Sequence, residues 1–223
     1  MRKAVVAVLV LTGVILVADE SGVFALLKSN VRIGRQGDGV YLLPTNQLLH
    51  PWGEQAAIKG RPVDLTFDSR KHLLAVLNSR NVLLMDGTSG ARMAEARAHT
   101  SYAGIAFRPG DRELWASETG EERGSDALLI LQLSELGAVT KTERMPLPKH
   151  PVPVGIGFSA DGKTAYVAFS RSNTLAVIDA DERKVKRQVI VGVAPFGVAV
   201  SRTHVFVTNR GGRKPAKSDT VAP

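Results

Sequence analysis

The side chains able to do chemistry are few and far apart along the chain. The five histidines are His50, His72, His99, His150 and His204. No two have the close spacing by which a helix or hairpin sets two imidazoles on one metal ion. Cysteine is absent, which excludes disulfides, Cys-ligated zinc, iron–sulfur clusters and a thiol nucleophile. There is no glycine-flanked serine elbow, Walker loop or dinucleotide fingerprint. Gly87-Thr88-Ser89-Gly90 reads as a turn between strands. Glu118, Glu121, Glu122 and Asp126 gather in one polar stretch that could hold a cation or serve acid/base work. Loops collect charge, so a solvated loop is the expected reading. Asp161 and Asp179 are expected to be turn residues. The residues therefore imply no catalytic group, no metal site and no cofactor.

The elements that would position any site come from a repeat. Four segments align: Pro62-Val63-Asp64-Leu65-Thr66-Phe67-Asp68, Tyr102-Ala103-Gly104-Ile105-Ala106-Phe107-Arg108, Pro153-Val154-Gly155-Ile156-Gly157-Phe158-Ser159 and Pro195-Phe196-Gly197-Val198-Ala199-Val200-Ser201. They begin 40, 51 and 42 residues apart, and the polar insertion 118–126 accounts for the long middle spacing. Each alternates apolar residues with period two, the signal of a strand. Gly or Ala stands between the apolar residues at Gly104, Ala106, Gly155, Gly157, Gly197 and Ala199. A strand bare on one face admits a neighbouring backbone. Turn residues and a second strand follow each segment, most clearly around Asp161-Gly162. His72 and His204 start second strands in equivalent repeats, so a structural role is expected for both. Third and fourth strands complete the first three repeats.

Four short antiparallel strands per 40-odd residues predict an all-β fold, a β-propeller built of four-stranded blades. A sandwich has no reason to repeat one pattern at this interval, and a β-helix turn is far shorter. The expected blades are 62–101, 102–152 and 153–194, with a partial one at 195–211 and a polar tail at 212–223. This is an incomplete arc of about four blades. Strands near 40–43 and 55–58 could complete the fourth blade and close a four-bladed ring. The other reading is a fragment of a longer propeller.

Residues 173–179, 191–201 and Val205-Phe206-Val207-Thr208-Asn209 resemble the YVTN-type β-propeller repeat. Phe206 stands where the motif has Tyr, and Val207, Thr208 and Asn209 match it. The third repeat departs further, with Tyr166-Val167-Ala168-Phe169. Residues 39–47 and 55–58 are similar to the opening strands of exported bacterial members, in which a propeller precedes a phosphoesterase domain. The resemblance implies more blades, usually seven, and favours the fragment. Some propellers of similar repeat pattern are sugar-lactone hydrolases, which makes part of a hydrolase the alternative function.

Residues 1–25 read as a signal peptide or membrane anchor. Arg2 and Lys3 precede fifteen uncharged residues, 4–18, followed by Asp19 and Glu20; that run is short for a span of ~20 residues. Val23-Phe24-Ala25 offers the best cleavage pattern. The propeller repeats would then occupy 26–211, in a periplasmic or secreted protein that touches a membrane only if the segment is retained. The net charge of +8 is spread along the chain without a basic run, so no nucleic-acid partner is expected. The working surface of a propeller is the loop face around its channel. Arg61, Asn78, Glu118, Ser170, Asn209 and Arg210 fall in loops that start inner strands or follow second strands, and are the candidate binding residues. The expected function is an exported, non-catalytic module that binds a protein or small ligand at that face.

Overall fold

The computed structural model of the chain describes residues 32–37, 39–110, 112–120 and 125–211. The expected signal segment and the tail 212–223 lie outside the described residues, as do Glu121 and Glu122. The described residues contain only strands and connections, with no helix. Two compact units form, Met1–Gln55 and Ala56–Pro223.

The first unit holds an antiparallel sheet of β1 (Gly34–Gly37), β2 (Val40–Leu42) and β3 (Leu48–Leu49), in that order. Asn46, at φ 59°, turns the chain between β2 and β3. Asparagine tolerates this left-handed conformation better than most residues. The strand expected over 55–58 does not form. Ile58 instead packs from a loop onto Val76, Leu83 and Met85.

The second unit is the repeat made physical. Its sheets are β4 (Pro62–Asp68), β5 (Leu73–Asn78), β6 (Asn81–Asp86) and β7 (Arg92–Arg97); β8 (Ile105–Phe107), β9 (Glu113–Glu118), β10 (Ala127–Leu133) and β11 (Val139–Pro146); β12 (Pro153–Phe158), β13 (Thr164–Phe169), β14 (Thr174–Asp179) and β15 (Lys184–Ile190); and β16 (Pro195–Val200) with β17 (Val205–Asn209). Every pairing is antiparallel between sequence neighbours, the meander of a propeller blade. The first three blades have four strands and the fourth has two.

Blades meet through their inner strands, and the bare positions explain how. A Cβ on Gly104 would lie 2.7 Å from the carbonyl carbon of Val154 in the next blade, and one on Gly155 would lie 2.9 Å from the amide nitrogen of Val198. No side chain fits there. At the first junction Asp64 stands where the other repeats have glycine, and its Oδ2 accepts the Gly104 amide at 2.8 Å. The pairing register shifts near the start of three inner strands, between Pro62 and Asp64, Pro153 and Ile156, and Pro195 and Val198. Such bulges turn the strand where it leaves the loop face.

The middle blade shows why its strands read as continuous apolar runs. In β10, Leu129 and Leu131 pack toward the first blade with Leu77, Leu84 and Leu114. Leu128 and Ile130 pack toward the third with Trp115, Val167 and Ile178. Period two persists, but both faces are buried.

On the turn face, a buried ionic group ties the second blade to the third. Glu113 accepts Trp115 Nε1 at 3.0 Å and pairs with Arg108 and Arg183. Arg108 also reaches Asp181 and donates Nε to the Gly162 carbonyl at 2.8 Å. Burial alone would raise the Glu113 carboxyl; the Arg183 and Trp115 bonds outweigh it and hold it below its ordinary 4.5. A depressed carboxyl contributes stability that is present above the unfolded pKa and lost as pH falls through the folded one. Stability is therefore expected to fall as pH drops below about 4.5. Acid titration of the melting temperature checks this, and Glu113→Gln should flatten that limb while lowering stability near neutrality.

Candidate binding cleft on the loop face

The loops that lead into inner strands and those that leave second strands converge, blade by blade, on a cleft of about 600 Å³. The second blade supplies Thr100 and Tyr102 from the first kind of loop, Thr119 and Gly120 from the second. The third supplies His150, Val152 and Val154, then Ser170 and Arg171; the fourth supplies Phe196 and Arg210.

A buried carboxylate holds three of the lining residues from behind. Asp126 is fully buried. One oxygen accepts the Val152 amide at 2.7 Å; the other accepts the Gly120 amide at 3.1 Å and faces His150 Nδ1 at 2.7 Å. These bonds hold an unusual segment, because Lys149, His150 and Val152 all have positive φ (66°, 49° and 55°). For β-branched Val152 that conformation is costly and persists only where the surroundings enforce it. His150 is thus presented to the cleft with one ring nitrogen anchored.

Two arginines, Arg171 and Arg210, line the cleft. Arg210 lies over the Phe196 ring at 3.5 Å, a cation–π arrangement. Arg171 is exposed, and its backbone amide is fixed on the Pro151 carbonyl at 3.0 Å. Among the described residues that line the cleft there is no carboxylate. The Thr119 hydroxyl is buried and has no hydrogen-bond partner among the described residues. An unmatched buried hydroxyl is costly, and a bound ligand is one way to match it. A second cleft of about 460 Å³ shares Thr100 and Gly120 and adds Arg97 and His99.

Of the six residues expected from the sequence, Ser170 and Arg210 line the main cleft. Glu118 does not line it; it is fully buried, accepting the His99 amide at 2.9 Å and Arg144 Nε at 2.8 Å. Asn78 is buried and donates to the Lys59 carbonyl at 2.7 Å. Arg61 and Asn209 are exposed and lie outside the main cleft. The solvated loop expected around Glu118 and Asp126 is corrected at those two positions: both carboxylates are buried. Between them they satisfy backbone amides, the Arg144 guanidinium and the His150 ring. Asp179 and Asp161 cap turns through the Glu182 and Lys163 amides. His72 lies edge-on to Phe67 and His204 lies beside Phe206. The sequence reading missed the Asp126–His150 pair, since 24 residues separate its members. The nearest signal was Lys149-His150-Pro151 ahead of an inner strand. Among the described residues no group of three or more His, Asp or Glu side chains could hold a metal ion.

No protein-family model matches the sequence. No curated protein matches it either. Solved structures do resemble the fold. A functionally unknown protein from Desulfotomaculum acetoxidans aligns at a TM-score of 0.57 and 18% identity, over 78% of this chain and 55% of its own. The β-propeller domain of Cps50 (Swd1) from Myceliophteria thermophila aligns at 0.54 and 17%, over 80% and 61%. A 6-phosphogluconolactonase-like protein of Bacteroides fragilis aligns at 0.51 and 19%, over 65% and 41%. At these identities the likeness shows the propeller fold alone. The chain spans less than two thirds of each of these structures.

Proposed function

We propose that this chain is an exported, non-catalytic propeller module of YVTN type that binds a small anionic ligand, a carboxylate or phosphate, in the loop-face cleft. The observation that carries the reading is the presence of both Arg171 and Arg210 in a cleft where no carboxylate stands among the described lining residues. Tyr102, Thr100 and the unmatched Thr119 hydroxyl add hydrogen-bonding groups around them. Guanidinium groups suit planar oxyanions, which they bind through two parallel bonds.

Calorimetric titration with citrate, gluconate 6-phosphate and inorganic phosphate tests this. Binding is expected for at least one anion and should weaken with salt. Arg210→Ala and Arg171→Ala should each cost about tenfold, ~1.4 kcal/mol. Arg202→Ala, in an exposed turn, should cost nothing. No binding by any of the three, or equal loss in Arg202→Ala, rejects the reading.

A hydrolase is the second reading, favoured by an imidazole anchored on a buried carboxylate inside the cleft. The lactonase-like structural neighbour lends it the reaction class to try. Lactone hydrolysis that disappears in His150→Ala would replace the non-catalytic assignment.

A further inference from the structure

His150 differs from the arginines of the cleft in one respect: its charge depends on a proton. The ring lines the cleft with 17% of its side chain exposed, and Nδ1 lies 2.7 Å from Asp126 Oδ1. Asp126 is fully buried and accepts a backbone amide on each oxygen, from Val152 at 2.7 Å and from Gly120 at 3.1 Å. An ionised carboxylate only accepts, so the proton in the His150 contact belongs to Nδ1. That bond fixes the tautomer. A neutral His150 then carries its lone pair on Nε2, the nitrogen that Asp126 does not hold. Only the protonated ring donates from both nitrogens.

The difference decides how the ring meets an anion. A lone pair on Nε2 repels an oxyanion, whereas an imidazolium gives it a charge-assisted hydrogen bond. Among the described residues, the other ionisable groups lining the cleft are Tyr102, Arg171 and Arg210. Lys149, the preceding residue, is exposed. Glu118, on the strand that leads to Thr119 and Gly120, is taken up by Arg144 and the His99 amide. The buried carboxylate of Asp126 attracts a proton to the ring, and the two guanidinium groups repel one. An anion bound by those arginines cancels their repulsion and adds an attraction of its own. The ring is already in place for this, because Lys149, His150 and Val152 are held at positive φ, and a preorganised group costs little to order on binding.

We infer that His150 is a third binding group of the cleft and engages the anion as an imidazolium, so that the protein takes up a proton with its ligand. The inference rests on the reading of the cleft as an anion site and adds the group that makes the site sensitive to pH. Protonated His150 lies between two negative charges, Asp126 and the bound anion. Arg171 and Arg210 stay charged throughout, so they do not supply this dependence.

Calorimetry with citrate, gluconate 6-phosphate and inorganic phosphate, each in buffers of different ionisation enthalpy, counts the protons taken up on binding. Every anion that binds should carry more protons into the unaltered protein than into His150→Gln, by roughly half a proton or more near pH 7.5, where an ordinary imidazole is mostly neutral. The comparison cancels the titration of the anion itself. From pH 6 to pH 8.5 affinity should fall about tenfold more for the unaltered protein than for His150→Gln. Glutamine keeps a donor for Asp126 but gains no proton. Should His150→Gln lose binding altogether, nitrogen-15 NMR of the histidine rings in the unaltered protein decides. The His150 signal is assigned by substituting in turn the four exposed histidines, His50, His72, His99 and His204. Adding the anion should convert the His150 ring from the neutral to the doubly protonated form. Equal proton uptake by the two proteins, or a ring that stays neutral in the complex, overturns the inference and leaves the anion site standing. Failure of all three anions to bind overturns both.

Discussion

Gly104→Val is expected to abolish cooperative folding of the arc. Gly104 has φ +100°, a conformation that side chains bearing a Cβ rarely adopt. An added Cβ would also lie 2.7 Å from the Val154 carbonyl carbon, which is backbone of the next blade and cannot rotate away. Left-handed strain costs roughly 1–2 kcal/mol and overpacking about 1–3; the two act on one residue and add. The same glycine donates its amide to Asp64 across the blade junction, so a backbone shift that relieved the clash would break that bond. Urea unfolding followed by tryptophan fluorescence measures the loss, since Trp115 lies in the core between the second and third blades. Gly110→Val is the control: its φ is also positive, but nothing stands within 4 Å of the added Cβ. A Gly104→Val protein no less stable than this control would show that the blades do not meet as closely as described.

Asp126→Ala is expected to remove ligand binding and to cost about 1–3 kcal/mol for each buried backbone donor left without its acceptor. The carboxylate serves the Val152 amide, the Gly120 amide and the His150 ring together. Without it two backbone donors lose their acceptor, and nothing offsets the left-handed conformations of Lys149, His150 and Val152. The segment should relax and carry His150 out of the cleft. Asp126→Asn separates the two roles. An amide keeps one acceptor oxygen, but it turns an NH₂ toward a second donor, so part of the stability should return while binding stays impaired. Thermal melts and anion titration, run on both variants, read the two effects apart. Binding unchanged in Asp126→Ala would detach the buried carboxylate from the cleft's function.

Much of this molecule lies open in its one-dimensional pattern, and particular residues show why. Alternation at Leu65 and Phe67, Ile156 and Phe158, or Val198 and Val200 is local, and local periodicity survives folding. The glycines that let blades approach also sit at fixed places in each repeat, so their consequence could be reasoned without coordinates. Turn chemistry around Asp161 and Asp179 was legible for the same reason: an Asx turn is completed within three residues. Residues 55–58 were not legible as loop, because a short apolar run looks alike in a strand and in a segment laid over another blade's sheet.

The cleft belongs to the other category. Ser170 and Arg210 could be nominated from their place in the repeat, but their position alone gave no reason to rank them above Arg61 or Asn209. The burial of Glu118 and Asp126 reverses the usual expectation for charges in an insertion, and only packing could reveal it. Sequence determined the strand period, the blade repeat and the bare faces, because each depends on neighbours within a few residues. Tertiary structure alone decided which loops from three blades converge, which carboxylates are desolvated and which cations remain facing the cleft. Those are properties of distances between residues far apart along the chain, and the order of the residues does not encode them until the blades are in place.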